Sequence, residues 1–225
     1  MFGYYGSKSK IVNKYQKPKF NVIIEPFAGT AQYSLKYWEN DIILIEKYDV
    51  IYKIWKWLQQ CSKKDILELP ILKEGENVDD FSWCCEEAKW LTGFIITGAP
   101  ATPKKTASKW KTTMRPNTQN YKHNLIANNL HKIKHWKIIL GDYHEIQNQK
   151  AVWFIDPPYQ FGGEYYKYGN KQIDYKELAK FCKSRKGQVI VTENSKATWL
   201  DFEFLTSMRG NKYQTNECVK YFDNY

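Results

Sequence analysis

The sequence of 225 residues predicts an α/β fold, with a doubly wound, mostly parallel sheet that carries helices on both faces. The first observation is that short apolar runs, bounded by turn residues, alternate with longer segments of helical spacing. The second is that acidic residues close several of these runs, as expected where ligands bind at the carboxyl ends of strands. The chain is long enough to bury a substantial core, and its 43% hydrophobic content is typical of a globular protein.

The first two predicted strands each end in a carboxylate. The apolar run 22–25 leads into a turn of small residues and then a helical pattern, and Gly29 in this turn would let the backbone approach a ligand closely. The run 41–46 ends at Glu46, where nucleoside-binding folds place the acceptor for ribose hydroxyls. Glu46 is therefore a candidate ribose ligand, and a solvated charge at the end of a strand is the alternative.

The middle of the chain is predicted to be helical, with one basic loop. Helical spacing covers 50–60, 81–96 and about 118–133, and the Gly- and Pro-containing stretch 98–103 must end the second of these helices. The loop that follows has lysines for phosphates, an aromatic ring that could stack, and an arginine that could contact a base edge. These candidate nucleic-acid contacts are Lys104, Lys105, Lys109, Trp110, Lys111 and Arg115. A solvated loop without a ligand is the alternative.

The last part of the chain is predicted to supply the remaining strands of the sheet. A helix at 174–183 has Asp174 as its N-cap, and Glu177 three residues later predicts a capping box. The strands are predicted at 137–140, 151–155 and 189–194, with a terminal hairpin of 202–207 and 213–222.

The tetrapeptide Asp156-Pro157-Pro158-Tyr159 follows directly on the apolar run 151–155. Two consecutive prolines fix φ and remove two backbone donors, so the turn is stiff and the Pro157 carbonyl is not drawn into a helix. Asp156 and this carbonyl could accept the hydrogens of an amino group on a planar ring, for which Tyr159 offers a stacking face. The alternative is that the prolines and the tyrosine only end a buried strand.

Three motifs resemble, in the same order, those of the Dam-like DNA adenine-N6 methyltransferases with the alpha arrangement. They are the aromatic, glycine and lysine segment 2–8, Glu-Pro-Phe-Ala-Gly-Thr at 25–30, and Asp-Pro-Pro-Tyr at 156–159. The resemblance extends over most of the chain and implies a Rossmann-like methyltransferase sheet with a C-terminal antiparallel hairpin. It also implies a catalytic domain of residues 1–60 and 117–225, and a small helical and loop insertion for target recognition at 61–116.

By this resemblance, the protein transfers a methyl group from S-adenosyl-L-methionine to N6 of an adenine flipped out of DNA, leaving S-adenosyl-L-homocysteine. Lys8 would be a partner for the carboxylate of the cofactor or for the substrate, and Asp142 would face the adenine of the cofactor. The catalytic residues would be Asp156, Pro157, Pro158 and Tyr159. The cofactor-binding residues would be Tyr5, Lys8, Glu25, Phe27, Ala28, Gly29, Thr30, Glu46, Asp142, Tyr143 and Asp156.

Phe161 and Tyr165, in a loop rich in glycine and tyrosine, are candidates for contacts to the flipped base. An enzyme that rotates a nucleotide out of a duplex replaces the lost stacking with aromatic contacts. Either ring could instead be an anchor in the core. Methylation of adenine in RNA, or of cytosine N4 in DNA, suits the same tetrapeptide and is an alternative, as is a catalytically silent protein that binds nucleic acid.

Charge and cysteine content bear on the partner and the compartment. The net charge of +10 and the pI near 9.2 favour a polyanion, and double-stranded DNA is the expected partner. The five cysteines form no CxxC pair, so we expect reduced thiols and no metal site. Without an apolar signal or spanning segment, we expect a cytoplasmic protein of a bacterium, or of the host cell if a phage encodes it. A cognate restriction nuclease is a further candidate partner, and the expected state is a monomer or weak dimer.

Overall fold

The computed structural model of the protein describes residues 1–109, 117–209 and 214–224. The chain forms two compact units. The first, here called the helical unit, comprises Met1–Ser7 and Tyr48–His135, and the second, the sheet unit, comprises Lys8–Lys47 and Trp136–Tyr225. Each unit is therefore built from two separate stretches of chain.

The sheet unit is built on a mixed sheet that has seven strands within the described residues. They are β1 (Val22–Glu25), β2 (Asp41–Glu46), β3 (Lys137–Leu140), β4 (Ala151–Ile155), β5 (Gly187–Asn194), β6 (Glu203–Arg209) and β7 (Gln214–Asn224). Their spatial order is β3-β2-β1-β4-β5-β7-β6, in which the first five strands are parallel and β7 is antiparallel to both of its neighbours. The predicted doubly wound sheet with a C-terminal antiparallel hairpin is confirmed.

The direction of winding reverses between β1 and β4. The chain runs outward from β1 through β2 to β3, then returns to β4 beside β1 and continues the other way to β5. In sheets of this kind, ligands bind outside the carboxyl ends of the strands at the point of reversal. Glu25 ends β1 and Asp156 follows β4, so both carboxylates lie at the edge where a ligand is expected.

Six α-helices lie within the described residues. They are α1 (Gln32–Lys36), α2 (Asp49–Gln60), α3 (Lys63–Leu67), α4 (Glu86–Ile95), α5 (Thr118–Ala127) and α6 (Tyr175–Ser184). Short 3-10 helices cover Val12–Lys14, Val78–Asp80, Leu130–Ile133, Tyr143–Glu145 and Asn170–Gln172.

Within the sheet unit, helices cover both faces of the sheet. Adjacent residues of a strand point to opposite faces. In β4, the ring of Trp153 lies 5.9 Å from that of Phe181 in α6. The ring of Phe154, the next residue, stacks on Tyr33 of α1 at 4.6 Å. The predicted layers on both sides of the sheet are therefore present.

The N-terminus of α6 is capped as predicted, but by a simpler motif. The carboxylate of Asp174 accepts the backbone amides of Lys176 and Glu177. The predicted capping box is wrong, because no described contact returns the Glu177 side chain to the Asp174 backbone. Its Oε2 lies instead 3.3 Å from Nε2 of His144.

In the helical unit, the helix predicted at 50–60 is α2, and its buried side is formed by Ile51, Ile54, Trp55 and Leu58. The N-terminal segment contributes to the same core, since the ring of Phe2 lies 5.6 Å from Trp55 and 5.7 Å from Phe94 of α4. Apolar burial of this kind is the main stabilising contribution to a helical core.

Two helices of the helical unit are shorter than predicted. The helix expected at 81–96 begins at Glu86, where two glutamates in the first turn favour a helix N-terminus. The helix expected at 118–133 ends at Ala127 and is followed by a 3-10 helix. Here the side-chain amide of Asn129 donates to the Leu125 carbonyl at 2.7 Å, and asparagine side chains compete in this way with the helical backbone.

The two units have bounds that differ from the division expected from the sequence. The segment 61–116 belongs to the helical unit together with residues on either side of it, including α2 and α5. Its assignment to target recognition stays a prediction. In the described part of the chain, every helix is too short or too polar to cross a bilayer.

Candidate active site

Asp156, directly after β4, has one oxygen held by the protein and one that has no partner among the described residues. Its Oδ1 accepts the hydroxyl of Thr192 at 2.7 Å and lies 2.8 Å from Nζ of Lys8. Among the residues that the structure describes, none donates to Oδ2. The side chain is 21% exposed. The carboxylate is therefore fixed in orientation through one oxygen, while the other is available to a ligand.

Of the two proline carbonyls of the tetrapeptide, one is likewise held by the protein and the other has no donor among the described residues. The hydroxyl of Tyr175 donates to the Pro158 carbonyl at 2.6 Å. No donor from the described part of the chain reaches the Pro157 carbonyl. Two acceptors on consecutive residues, Asp156 Oδ2 and Pro157 O, are thus left for an external group that offers two hydrogens.

Lys8 is a buried cation between two carboxylates. Its Nζ lies 2.8 Å from Asp156 Oδ1 and 4.0 Å from Oε1 of Glu217, and it sits over the ring of Tyr159 at 4.7 Å from the centroid. Burial opposes the charged form, but the carboxylates of Asp156 and Glu217 outweigh it, so the pKa of Lys8 is raised above its ordinary value. Lys8 is therefore an ammonium ion, and a base that stacks on Tyr159 would have to use the opposite face of the ring.

Glu217 and Tyr15 are part of the same group, and neither was predicted from the sequence. Oε1 of Glu217 accepts the hydroxyls of Tyr15 at 2.7 Å and Tyr159 at 2.6 Å. We call Lys8, Tyr15, Asp156, Tyr159 and Glu217 the Lys8 cluster. An acidic residue beside the apolar Cys218-Val219 pair in a predicted strand was the only signal for Glu217, and Tyr15 had none.

Glu193, at the end of β5, anchors the residue that follows the tetrapeptide. Its Oε1 accepts the backbone amide of Gln160 at 2.5 Å and the indole N–H of Trp199 at 3.2 Å, and its Oε2 accepts the amide of Asn194 at 2.7 Å. Burial raises the pKa of Glu193 to about 7, although these hydrogen bonds favour the charged form. Tyr159 and Gln160 are thus each tied to a carboxylate of the sheet.

The loop after the tetrapeptide folds back on it. A Cβ at Gly163 would collide with the Tyr159 carbonyl oxygen, so this close approach requires glycine. The side chain of Asn170 donates to the Gln160 carbonyl at 2.9 Å. Phe161 and Tyr165 are 50% and 65% exposed, so the alternative of core anchors is wrong, and their contact to a flipped base stays a prediction.

The loop between β1 and α1 holds most of the predicted cofactor residues. Gly29 has a φ of 46°, the left-handed conformation that favours glycine. Its amide donates to Oε2 of Glu46 at 2.8 Å, and the amide of Ala28 donates to the Ile45 carbonyl at 3.0 Å. Glu46 is 9% exposed, which overturns the alternative of a solvated charge. Thr30 is buried beside them.

Glu25 has a different environment from Asp156. It is 2% exposed, and its Oε1 accepts the backbone amide of Ser34 in α1 at 2.7 Å. Burial raises the pKa of Glu25 to about 8, although the bond from Ser34 opposes this. These contacts give Glu25 a structural role at the N-terminus of α1, and its predicted contact with a cofactor stays a prediction.

Asp142, predicted to face the adenine of a cofactor, has both oxygens engaged. Oδ2 lies 2.8 Å from Nζ of Lys47, and Oδ1 lies 2.6 Å from Nδ1 of His144. Burial opposes the charged form, but the hydrogen bonds from Lys47 and His144 lower the pKa of Asp142. The buried ring of Tyr143 lies 5.1 Å from that of Phe27, so these two predicted cofactor residues pack against each other.

The remaining predicted residues that the structure describes belong to the helical unit. Lys104, Lys105 and Lys109 are exposed, and Nζ of Lys105 lies 2.7 Å from Oδ2 of Asp79. The backbone amide of Tyr5 donates to the Pro100 carbonyl at 3.3 Å. Trp110, Lys111 and Arg115 lie outside the described residues.

Some solved structures have a weak likeness to this chain. No protein-family model matches the sequence, and neither does any curated protein. A putative methyltransferase from Escherichia coli is 10% identical, with 90% of this chain and 75% of that chain covered and a TM-score of 0.39. A putative methylase from Haemophilus influenzae is 12% identical, with coverages of 91% and 80% and a TM-score of 0.39. A conserved hypothetical protein from Streptococcus pyogenes is 9% identical, with coverages of 88% and 84% and a TM-score of 0.31. Likenesses at this level say nothing of what this chain binds or catalyses.

Proposed function

We propose that the protein is an S-adenosylmethionine-dependent methyltransferase that acts on N6 of adenine in DNA. The observation that carries the proposal is the pair of acceptors, Asp156 Oδ2 and Pro157 O, that no described residue uses, on a turn where Asp156 Oδ1, the Pro158 carbonyl and the Tyr159 hydroxyl are held by the protein. An exocyclic amino group has two hydrogens to donate, and this pair of acceptors matches them. A hydroxyl or thiol substrate would leave one acceptor without a donor.

The proposed chemistry requires little from the protein beyond position and charge. The lone pair of N6 is delocalised into the adenine ring, so the nitrogen becomes a better nucleophile when two acceptors draw its hydrogens aside. N6 would then form a bond to the methyl carbon as the bond between that carbon and the sulfonium sulfur breaks, which leaves S-adenosyl-L-homocysteine. Positive charge develops on N6, and Asp156 stabilises that charge and can take the proton that N6 loses. Orientation of reactants can contribute about 7–11 kcal/mol to such a step, and a fixed acceptor adds to it.

The residues near the reversal of winding between β1 and β4 suit the proposed cofactor. S-adenosylmethionine would supply the methyl group as a sulfonium cation. Phe27, which is partly exposed in the loop between β1 and α1, could pack on an adenine ring. Glu46 at the end of β2 is a carboxylate at the position that binds ribose hydroxyls in similar folds. The Lys8 cluster has two carboxylates and one ammonium group, and this negative excess suits a cation.

DNA is the proposed polymer because of charge and exposed aromatic rings. The net charge of +10 favours a polyanion, and Lys104, Lys105 and Lys109 are exposed in the helical unit. In the sheet unit, Phe161 and Tyr165 are exposed in the loop next to the tetrapeptide, where they could contact a base rotated out of the duplex.

The decisive experiment incubates purified protein with unmethylated plasmid and S-adenosylmethionine, and then measures modified nucleosides by mass spectrometry. We expect N6-methyladenine from the wild type and none from an Asp156→Ala variant that still binds the cofactor in calorimetry. N4-methylcytosine would transfer the proposal to the cytosine amino group, because the same two acceptors fit it. Modification of RNA alone would mean that the substrate is RNA and not DNA. A wild type that neither methylates nor binds the cofactor would indicate a silent protein that binds nucleic acid.

A further inference from the structure

Glu217 is a buried carboxylate beside the proposed catalytic turn, with no role in the chemistry described so far. It lies in β7, is 1% exposed, and is opposite Asn194 of β5 and Thr206 of β6. Oε1 accepts two tyrosine hydroxyls, at 2.6 and 2.7 Å. Oε2 is buried and has no hydrogen-bond partner among the described residues. A buried charged oxygen without a donor destabilises a fold, so the position calls for a functional explanation.

The hydrogen bonds of Glu217 do not by themselves require a carboxylate. Tyr15 and Tyr159 donate only to Oε1, and the amide oxygen of a glutamine could accept both. A glutamate here differs from a glutamine in its charge, which lies 4.0 Å from the ammonium of Lys8. The tyrosines hold that charge in place and remain neutral, because burial raises their pKa well above the ordinary value.

The charges in the Lys8 cluster show what this second carboxylate changes. Lys8 lies 2.8 Å from Asp156, close enough to neutralise it as an acceptor for developing positive charge. With Glu217 ionised, two negative charges face one positive charge, so the cluster keeps a net negative charge. With Glu217 neutral or absent, Lys8 and Asp156 would form a neutral pair.

We propose that Glu217 is a positioning residue that partly neutralises the positive charge of Lys8. Asp156 thereby keeps enough negative charge to act as an acceptor for the cationic transition state. The inference rests on the proposed methyl transfer and assigns a requirement for one specific carboxylate to it. Glu217 acts through Lys8 and does not contact the reacting atoms.

The test compares Glu217→Gln with the wild type in methylation of DNA, with Glu203→Gln as the matched control. Glu203 is an exposed carboxylate on the adjacent strand, so both variants lose one negative charge from the same hairpin. We expect kcat to fall about 10- to 100-fold in Glu217→Gln, as estimated for loss of a charge at this distance in a partly screened site, while KM for DNA changes less than about threefold. Glu203→Gln should match the wild type.

The pH profile distinguishes a charge from a hydrogen-bond anchor. Burial raises the pKa of Glu217, although Lys8 opposes this, so kcat of the wild type should rise with pH as Glu217 ionises. The charged or titratable groups that interact with it are Lys8, Tyr15, Asp156, Tyr159 and Cys218. Glu217→Gln should lose this rise. Tyr15→Phe removes a hydrogen bond and no charge, so it should keep the rise even if kcat falls.

Two results would overturn the inference while leaving methyl transfer standing. One is a Glu217→Gln variant with wild-type kcat and pH profile, and the other is a Tyr15→Phe variant that loses the pH-dependent rise as completely as Glu217→Gln. Melting temperature and cofactor binding show whether each variant is folded. If the wild type does not methylate DNA, NMR titration of the Lys8 ammonium still tests the coupling between Glu217 and Lys8. The pKa of Lys8 should fall in Glu217→Gln, and an unchanged pKa contradicts the proposed coupling.

Discussion

Asp156 and Glu25 are carboxylates at the ends of neighbouring strands, yet their surroundings differ. Asp156 faces an ammonium group and a hydroxyl through one oxygen, and its other oxygen is open to a ligand. Glu25 is buried, accepts the amide of Ser34, and its pKa is raised to about 8. Position at the carboxyl end of a strand is therefore not enough to make a ligand site. The direct ion pair with Lys8 and an exposure of 21% against 2% distinguish Asp156, the proposed catalytic carboxylate, from the buried Glu25.

The largest expected effect comes from changing Asp156 alone. Asp156→Asn keeps the shape of the side chain but replaces the charged acceptor, so kcat should fall about 10²- to 10³-fold, the usual loss for one electrostatic contact to a transition state. Cofactor affinity should change much less. Single-turnover methylation and calorimetric titration measure the two quantities separately, and equal losses in both would assign Asp156 to cofactor binding.

Glu25→Gln should affect stability and its dependence on pH. Since the folded pKa of about 8 exceeds the ordinary 4.5, the folded state binds the proton more tightly. The stabilisation this gives is full below pH 4.5 and is lost as pH rises to about 8. A glutamine keeps the bond to Ser34 without this loss, so the variant should be more stable than the wild type at pH 8 by on the order of 2–4 kcal/mol.

Denaturant unfolding at pH 5 and pH 8 checks this prediction. The difference in free energy of unfolding between variant and wild type should grow toward pH 8. Glu193, whose pKa is about 7, titrates in the same range but is present in both proteins, so it cancels in the comparison. A difference that is independent of pH would mean that Glu25 is ionised in the fold throughout.

Tyr175→Phe tests how much the fixed conformation of the Asp156–Tyr159 turn contributes to kcat. The variant frees the Pro158 carbonyl and leaves Asp156 untouched. A single neutral hydrogen bond contributes about 0.5–1.5 kcal/mol, so we expect kcat to fall about 2- to 10-fold. Steady-state kinetics measure the change, and a loss as large as that of Asp156→Asn would show that fixing the turn matters as much to catalysis as the charge of Asp156.

The smallest effect is expected from the basic loop. Lys104→Ala and Lys105→Ala should each weaken DNA binding modestly and reduce the slope of log affinity against log salt by about 1. Because Asp79 competes with DNA for Lys105, Lys105→Ala should reduce the affinity for DNA less than Lys104→Ala does. Fluorescence titration at several salt concentrations measures both, and slopes that match the wild type would place DNA elsewhere.

The strands could be predicted from the sequence because their signals are local. The apolar runs at β2, β3 and β4 have the bounds that the pattern gives, and the hairpin β6–β7 differs from prediction by only a few residues. The end of α5 could not be predicted from apolar spacing, because the side chain of Asn129 bonds back to the helix there.

The candidate site was predictable only in part. Asp156 and its prolines form a local motif whose chemistry can be inferred from residue types. The Lys8 cluster depends on contacts between distant parts of the chain, such as Tyr15 with Glu217, which are 202 residues apart. No spacing rule brings these residues together. Only the strand order, which places β7 beside β5, does so.

The contacts between β2 and the loop after β1 have a consequence for ligand affinity. The amides of Ala28 and Gly29 are fixed by the backbone and side chain of the neighbouring strand, so the left-handed turn is supported by the chain itself. A loop that is ordered in advance loses little conformational entropy on association, and fixing even one residue costs roughly 1–2 kcal/mol. If the loop binds the proposed cofactor, Glu46 thus allows more of the interaction energy to appear as binding affinity.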